Sequence, residues 1–173
     1  MASIFDTGDS MHPSARAKHE GMAKEQAFED LCISSGIRCV KYKDFKNQKN
    51  SIQLYKEINN NILIKSVPYE SIYPDSMCRT EFVYYNRITN YTARIEIKKQ
   101  SHPGSTDEKI PYILRNAQEG KFSENELILI FIGDAFREGM YQWIEEERKN
   151  IKMPIKVFRD VMSGVFYIKG KMI

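Results

Sequence analysis

The segment Arg94-Ile-Glu-Ile-Lys-Lys-Gln100 extends the run Tyr91-Thr-Ala, and its side chains alternate between charged and apolar in the manner of a β-strand. One face of this strand carries the polar side chains of Arg94, Glu96, Lys98 and Gln100. The other face is apolar and packs. Charges inside a sheet are costly unless they are paired, bind a metal or face a cleft. The segment therefore predicts a strand well inside a sheet and a candidate site at Glu96 and Lys98.

A second strand lies just upstream of this segment. Glu81-Phe-Val-Tyr-Tyr85 is aromatic and β-branched, and Asn86 to Asn90 is typical of the turn of a hairpin. A turn centred on Ile88 and Thr89 places Glu81 opposite Glu96. Two facing carboxylates repel each other. A divalent cation removes the repulsion, because Mg²⁺ is commonly held by one or two carboxylates.

A third acid comes from the first predicted helix, which begins near Pro13 and ends near Gly36. Its apolar stripe includes Phe28 and Cys32. With about 100° per residue, Glu25 borders this stripe, whereas Glu29 lies further round. Glu25 is therefore placed to reach toward the sheet and complete an acidic pocket.

The remaining elements upstream are a strand at 37–42, a possible short helix at 52–58 and a strand at 62–67 that ends before a loop through Pro68 and Pro74. Residues 1–12 are predicted to form a flexible tail, and residues 13–173 one domain.

Downstream, a helix opens at Asp107 or Glu108 and leads to the buried-type strand 127–132, which makes a crossover unit. A last helix spans about 136–148 with Met140, Trp143 and Ile144 inward, and 155–173 stays unassigned. This order predicts an α/β domain with a mixed β-sheet flanked by helices.

Composition limits the class of protein. The apolar fraction of 42% and charged fraction of 28% are typical of a globular domain. The longest apolar run is too short to cross a bilayer, and no signal peptide is apparent, so we expect an intracellular, cytoplasmic protein without membrane contact. Three cysteines without metal-like spacing argue against disulfides and zinc. The net charge of +3 permits binding to a polyanion but does not demonstrate it.

Together these segments resemble the PD-(D/E)XK nuclease superfamily, whose members have the restriction-endonuclease-like core. The matching segments are Gly21-Met-Ala-Lys-Glu25, Arg79-Thr-Glu81-Phe-Val, Arg94 to Gln100, and Gly104-Ser-Thr-Asp-Glu-Lys-Ile-Pro-Tyr112. The resemblance covers about residues 14 to 132.

The resemblance implies a metal-dependent nuclease, an endonuclease on double-stranded DNA. Glu81 and Glu96 would bind Mg²⁺, for which Mn²⁺ would substitute, and Glu25 would assist at the metal. Lys98 would contact the attacking water or the scissile phosphate, and Gln100 would be an auxiliary polar group. The basic residues expected near the substrate are Lys99, His102 and Lys109. Cleavage of both strands by one site per chain would favour a homodimer.

Two alternatives stay open at this point. The first acid of the family is normally an aspartate, and Asp75, in a literal Pro74-Asp75 pair, competes with Glu81 for that role. We prefer Glu81 because the hairpin places it beside Glu96. The alternative function is a catalytically silent DNA-binding or assembly protein that keeps the fold. A small-molecule-binding domain is disfavoured, because no Gly-rich phosphate loop is present.

Overall fold

The computed structural model describes residues 25–45, 59–100 and 106–172. The predicted tail, the start of the first helix and the possible helix at 52–58 lie outside these ranges. The described strands are β1 (Arg38–Lys41), β2 (Asn61–Glu70), β3 (Met77–Asn86), β4 (Tyr91–Lys99), β5 (Glu126–Ile132) and β6 (Ile155–Phe158). The described helices are α1 (25–34), α2 (Thr106–Gln118), α3 (Glu138–Glu147) and α4 (Val161–Lys169).

In the described part of the chain, the six strands form one sheet in the order β1-β2-β3-β4-β5-β6. The β1–β2, β4–β5 and β5–β6 pairs are parallel, whereas the β2–β3 and β3–β4 pairs are antiparallel. The sheet is therefore mixed and flanked by helices, which confirms the predicted α/β class.

Each face of the sheet has its own core. One core, which we call the α2/α3 core, contains Leu114 of α2 together with Leu129 of β5 and Ile144 of α3. The other, the α1/α4 core, contains Phe28 of α1 and Val165 of α4. Neighbouring residues of β5 alternate between the two cores, so this strand is buried on both faces, as its continuous apolar run predicted.

The β3–β4 hairpin has the predicted register. Phe82 pairs with Ile95 and Tyr84 with Ala93, and residues 87–90 form the turn. The Asn86 side-chain oxygen accepts hydrogen bonds from the backbone amides of Ile88 and Thr89, which closes the turn. The ladder of paired residues ends at Phe82 and Ile95, one step before Glu81 and Glu96.

Strand β2 has an irregularity opposite Glu81. Lys65 pairs with Phe82 and Val67 with Thr80, but Ser66 between them has a left-handed backbone, with φ of 60°. Before Ser66, Leu63 packs in the α1/α4 core; after it, Tyr69 packs in the α2/α3 core. In a regular strand these two residues would share a face. The side chains of β2 therefore change faces at Ser66, so that those before and after it pack on opposite sides of the sheet.

The structure corrects the predicted loop at Pro68, because β2 continues to Glu70 and Pro68 pairs with Arg79. The short strand β1 covers β2 only from Ile62 to Lys65. Beyond that point β2 has no strand on its β1 side within the described residues, and a proline without an amide proton is tolerated there.

Two further predictions change near the C-terminal end. The unassigned segment 155–173 contains β6 and α4, so the helix at 138–147 is not the last one. Trp143 does not face inward: it is 36% exposed, whereas Met140 and Ile144 are buried. No helix in the described ranges is long and apolar enough to span a membrane.

Candidate active site

Strands β3 and β4 bring two acids and a lysine together. The Lys98 ammonium donates hydrogen bonds to Glu81 Oε1 at 2.6 Å and to Glu96 Oε2 at 2.8 Å. The side chains of Lys98, Glu81 and Glu96 are only 13%, 19% and 5% exposed, respectively. We call Glu81, Glu96 and Lys98 the acid–lysine cluster.

The second oxygen of Glu81 also has a partner. The backbone amide of Ile97 donates a hydrogen bond to Glu81 Oε2 at 3.2 Å. Because Ile97 lies between Glu96 and Lys98 on β4, this bond holds the Glu81 carboxylate against the strand that carries the other two members. The cluster is thus fixed from both strands of the hairpin.

The charges in the acid–lysine cluster affect one another. Burial, followed by the charge of Glu96, raises the pKa of Glu81 well above its usual range, although Lys98 partly offsets this. Burial alone would also raise the pKa of Glu96, but the charge of Lys98 and hydrogen bonds from Glu81, Lys98 and Thr80 lower it. Burial opposes the charged form of Lys98, yet the two carboxylates outweigh it and raise the pKa of the ammonium.

The single ammonium of Lys98 therefore does not neutralise both carboxylates. Glu96 carries the negative charge that Lys98 balances, and the raised pKa of Glu81 keeps its proton bound to a higher pH even though it lies 2.6 Å from the same ammonium. More positive charge at this point would allow both acids to ionise.

A divalent cation fits this donor set. Mg²⁺ is usually held by one or two carboxylates together with waters and substrate oxygens, and Glu81 and Glu96 supply two carboxylates side by side. Across the described residues, no group of three His, Cys, Asp or Glu side chains is placed to hold a metal. Within the cluster the available donors are the two carboxylates of Glu81 and Glu96.

Glu25 lies near this cluster without direct contact. Its Oε2 is 4.0 Å from the Lys65 ammonium. Burial, the largest effect, raises the pKa of Glu25; the charges of Lys65 and Lys98 lower it, and that of Glu96 raises it. No hydrogen bond or ion pair within the described ranges joins Glu25 to Glu81 or Glu96. The structure therefore places Glu25 beside the cluster and not within it.

Glu29, one turn along α1, has a different role. Its carboxylate accepts hydrogen bonds from the Lys65 ammonium at 2.9 Å and from the Cys39 thiol at 3.3 Å. These contacts join α1 to β1 and β2. Glu29 therefore acts in the packing of the helix, whereas Glu25 keeps a carboxylate near the cluster.

Gln100 ends the face of β4 that carries Glu96 and Lys98. Its side-chain amide donates to the Ala135 carbonyl at 3.1 Å, and its backbone amide donates to the Ile132 carbonyl at 3.1 Å. Its Oε1 atom is buried and accepts no hydrogen bond from the described residues. The neighbouring Gly133 has φ of 114°, and a Cβ there would lie 2.3 Å from the Gln100 carbonyl oxygen.

The remaining candidates are more dispersed. Lys99 is partly exposed at the end of β4, Lys109 is exposed on α2, and His102 lies outside the described residues. Asp75 is exposed in the β2–β3 loop, outside β3, with φ of 60°. The structure therefore brings Glu81, and not Asp75, into hydrogen-bonding contact with Lys98.

Arg94, on the same face as Glu96, belongs to the core. Its guanidinium makes two hydrogen bonds to the Glu124 carboxylate, at 3.0 and 2.9 Å, and lies over the rings of Tyr69 and Phe122.

Sequence reasoning missed Thr80, whose buried hydroxyl bonds to β4 beside the cluster. Its position next to Glu81 in the sequence gave no sign of this.

Comparison with known proteins points to a family. A family model described as the PD-(D/E)XK nuclease superfamily domain matches residues 16–163. No curated protein matches significantly. Among solved structures, SfsA of Pyrococcus furiosus in complex with Ca²⁺ matches with a TM-score of 0.34 and 14% sequence identity, covering 62% of this chain and 50% of that chain. The chain thus spans half the length of that solved structure.

Proposed function

The chain belongs to the PD-(D/E)XK nuclease superfamily, and from this we propose that it is a metal-dependent endonuclease that hydrolyses phosphodiester bonds in double-stranded DNA. The observation that carries the proposal is the acid–lysine cluster, in which one buried ammonium bridges the carboxylates of two neighbouring strands. A purely structural sheet has no need to place two acids side by side, because they repel each other.

Phosphodiester hydrolysis requires a nucleophilic water and neutralisation of the charge that develops on the phosphate. Mg²⁺ or Mn²⁺ held by Glu81 and Glu96 would lower the pKa of a bound water and polarise the phosphate. Glu25, whose pKa responds to the charges of Lys98 and Glu96, would assist at the metal directly or through water. In this proposal Glu81 and Glu96 supply the metal-binding site, and binding of the cation favours the ionised form of both carboxylates.

Lys98 acts as a fixed positive charge. Because Glu96 and Glu81 raise its pKa, the ammonium stays protonated and serves as a cation, not as a base. Its burial makes the charge more effective than it would be in water, so it stabilises the charge that gathers on the scissile phosphate. The side-chain oxygen of Gln100, which accepts no hydrogen bond from the described residues, would be an auxiliary polar group at the end of the same face.

Contacts to the rest of the DNA come from Lys99, Lys109 and His102 in this proposal. Lys99 is the last residue of β4, directly after Lys98, and Lys109 lies in the first turns of α2, the next described element along the chain. Lysines that contact phosphates make binding weaker as the salt concentration rises. Double-strand cleavage by a single site per chain further favours a symmetric homodimer.

The test is incubation of the protein with supercoiled plasmid, linear duplex and single-stranded DNA in Mg²⁺, Mn²⁺, Ca²⁺ or a chelator. We expect nicking and linearisation of the plasmid with Mg²⁺ or Mn²⁺ and none with the chelator. The Lys98→Ala variant should be inactive, and Lys121→Ala, which changes an exposed lysine elsewhere, should match the parent. Cleavage that persists in both the chelator and the Lys98→Ala variant would rule out the proposed site.

One observation favours a second candidate, a silent DNA-binding or assembly protein. Lys98 already neutralises part of the acidic pair, and the described residues supply no three-ligand group. Calorimetric titration with Mn²⁺ separates the two candidates. Saturable binding that is lost in Glu96→Gln supports the nuclease, whereas DNA binding without metal binding or cleavage supports the silent protein.

A further inference from the structure

The two strands of the central hairpin separate immediately before the acid–lysine cluster. Phe82 and Ile95 form the last pair of the ladder. Beyond this pair, hydrogen bonds to the backbone of β4 come from side chains of β3 and not from its backbone. The Thr80 hydroxyl donates to the Ile95 carbonyl at 3.1 Å, and the Ile97 amide donates to the Glu81 carboxylate at 3.2 Å.

The opening of the ladder has a counterpart on β2. Ser66, which is flanked by the residues that pair with Phe82 and Thr80, has φ of 60°. Its carbonyl accepts a hydrogen bond from the Arg79 guanidinium at 2.9 Å. A left-handed serine is uncommon and unfavourable unless the surroundings hold it. The backbone beside Glu81 is therefore irregular on the β2 side as well as on the β4 side.

Within this opening Thr80 is almost completely buried, with 1% of its surface exposed. A buried hydroxyl without a partner is costly, and a buried carbonyl without a donor is costly as well. The Thr80–Ile95 bond satisfies both groups. It also fixes the distance between β3 and β4 at the residue next to Glu81.

We propose that Thr80 is a positioning residue, whose hydroxyl bond to β4 fixes the separation of the strands so that the Glu81 carboxylate reaches both the Ile97 amide and the Lys98 ammonium. Its effect on catalysis rests on the proposed function, whereas its effect on Glu81 does not. Thr80 touches neither substrate nor metal in this proposal; it acts through Glu81 and through its hydroxyl's contact with the Glu96 carboxylate.

Three variants test the role. Thr80→Val keeps the shape of the side chain but removes the hydroxyl, and Thr80→Ser keeps the hydroxyl. Thr92→Val is the matched control, because the Thr92 hydroxyl donates to Asn125 at 2.9 Å elsewhere in the same hairpin. Three properties are measured for each: hydrogen exchange of the Ile97 amide by NMR, Mn²⁺ affinity by calorimetry, and kcat and KM for plasmid cleavage.

We expect Thr80→Val to exchange the Ile97 amide about tenfold faster and to lower kcat by about tenfold with an unchanged KM for DNA, as the loss of one hydrogen bond would allow. Mn²⁺ affinity should fall with kcat. Thr80→Ser should restore all three properties, and Thr92→Val should leave them at the parent values.

The proposal is overturned if Thr80→Val leaves Ile97 exchange unchanged, if Thr80→Ser is as impaired as Thr80→Val, or if Thr92→Val has the same effect. Failure of the proposed function is recognised separately. An inactive parent protein whose Ile97 amide is deprotected only by Thr80→Val would refute the nuclease and still support the positioning of Glu81.

Discussion

At the scale of single residues, Lys98 combines a proposed role with an observed one. Under the proposed function it stabilises the phosphate, and in the folded chain it bridges the carboxylates of Glu81 and Glu96. A buried acid that loses its counter-charge is strongly destabilising. Substitutions in this cluster are therefore expected to change the stability of the domain as well as its activity.

Lys98→Ala should abolish cleavage and also lower the free energy of unfolding by about 3–5 kcal/mol when no metal is present. Adding Mn²⁺ should recover part of this loss, since the cation replaces the missing charge. Thermal unfolding with chelator and with Mn²⁺ measures the effect. Lys121→Ala, which changes an exposed lysine away from the cluster, serves as the control. A Lys98→Ala variant as stable as the parent in chelator would contradict this view of the cluster.

Glu81→Gln and Glu96→Gln should change the pH dependence of metal-free stability in opposite directions. The raised pKa of Glu81 means that its contribution to stability is present below the unfolded pKa and is lost as pH rises through the folded pKa. Glutamine does not ionise, so in Glu81→Gln this loss with rising pH should be absent, and the variant's stability should fall less than the parent's from acid to neutral pH.

For Glu96, the dependence of stability on pH has the opposite sign. Its lowered pKa gives stability that is present above the unfolded pKa and is lost as pH falls through the folded pKa. Glu96→Gln should therefore be less stable at neutral pH and should approach the parent in acid. Melting curves from acid to neutral pH in chelator show both effects, and both variants should lose Mn²⁺ binding. Asp75→Asn, in the exposed loop, should change neither property.

The two glutamates of α1 should separate metal binding from packing. Glu25→Gln should weaken Mn²⁺ binding and slow cleavage with little change in melting temperature, because Glu25 has no hydrogen bond to lose among the described residues. Glu29→Gln should lower the melting temperature, since its carboxylate holds Lys65 and Cys39. Equal loss of metal affinity in both variants would remove Glu25 from the site.

The proximity of Glu81 and Glu96 could be predicted because a hairpin register follows from its turn; the register was confirmed from Phe82 onward, and the ladder stops one step before the two acids. The contact with the Ile97 amide could not be predicted, because it exists only where the ladder opens. Nor could the helix periodicity of α1 show the place of Glu25, since periodicity gives the buried face of a helix and not what that face packs against.

At the scale of elements, the bounds of long segments with clear periodicity were predicted best. Strand β5 was predicted at 127–132 and spans Glu126–Ile132, and α2 was predicted from Asp107 or Glu108 and begins at Thr106. Strand β6 has only four residues, and α4 contains Gly164, which is a poor helix former. Their identity depends on packing against β5, which a local pattern does not contain.

The contact between β4 and the loop after β5 gives an element-scale prediction. Gly133→Ala places a Cβ 2.3 Å from the Gln100 carbonyl and forces an L-residue into φ of 114°, so the two strand ends must move apart. We expect a loss of several kcal/mol in stability. Gly139→Ala is the control, because no atom within 4 Å opposes its Cβ. The melting temperatures of Gly133→Ala and Gly139→Ala, each compared with that of the parent, measure this loss.

At the scale of the whole molecule, the end of the sheet away from the acid–lysine cluster has its own polar network. The buried Glu126 carboxylate accepts hydrogen bonds from the Tyr91 and Tyr167 hydroxyls. Since these residues lie on β5, β4 and α4, the network joins the C-terminal helix to the centre of the sheet. The network and the acid–lysine cluster are separated along β4 from Tyr91 to Lys98.

Tyr167→Phe should therefore reduce stability without changing the chemistry. The loss of one hydroxyl bonded to a carboxylate costs about 1.5–3 kcal/mol, which denaturant unfolding can measure. Cleavage per folded molecule and Mn²⁺ affinity should stay at the parent values. A fall in kcat with unchanged stability would mean that α4 communicates with the site.

The strand order of the sheet, which is the same as the order of strands in the chain, has a consequence for how the protein forms on the ribosome. Each strand pairs with the one synthesised just before it, so the sheet can grow at one edge as the chain emerges, without waiting for a distant segment. Both carboxylates and the lysine are in place once β4 has paired with β3, but their helical cover on the α2/α3 side comes later. A nascent chain stalled after β4 would thus expose its charged centre to solvent before the enclosing core exists.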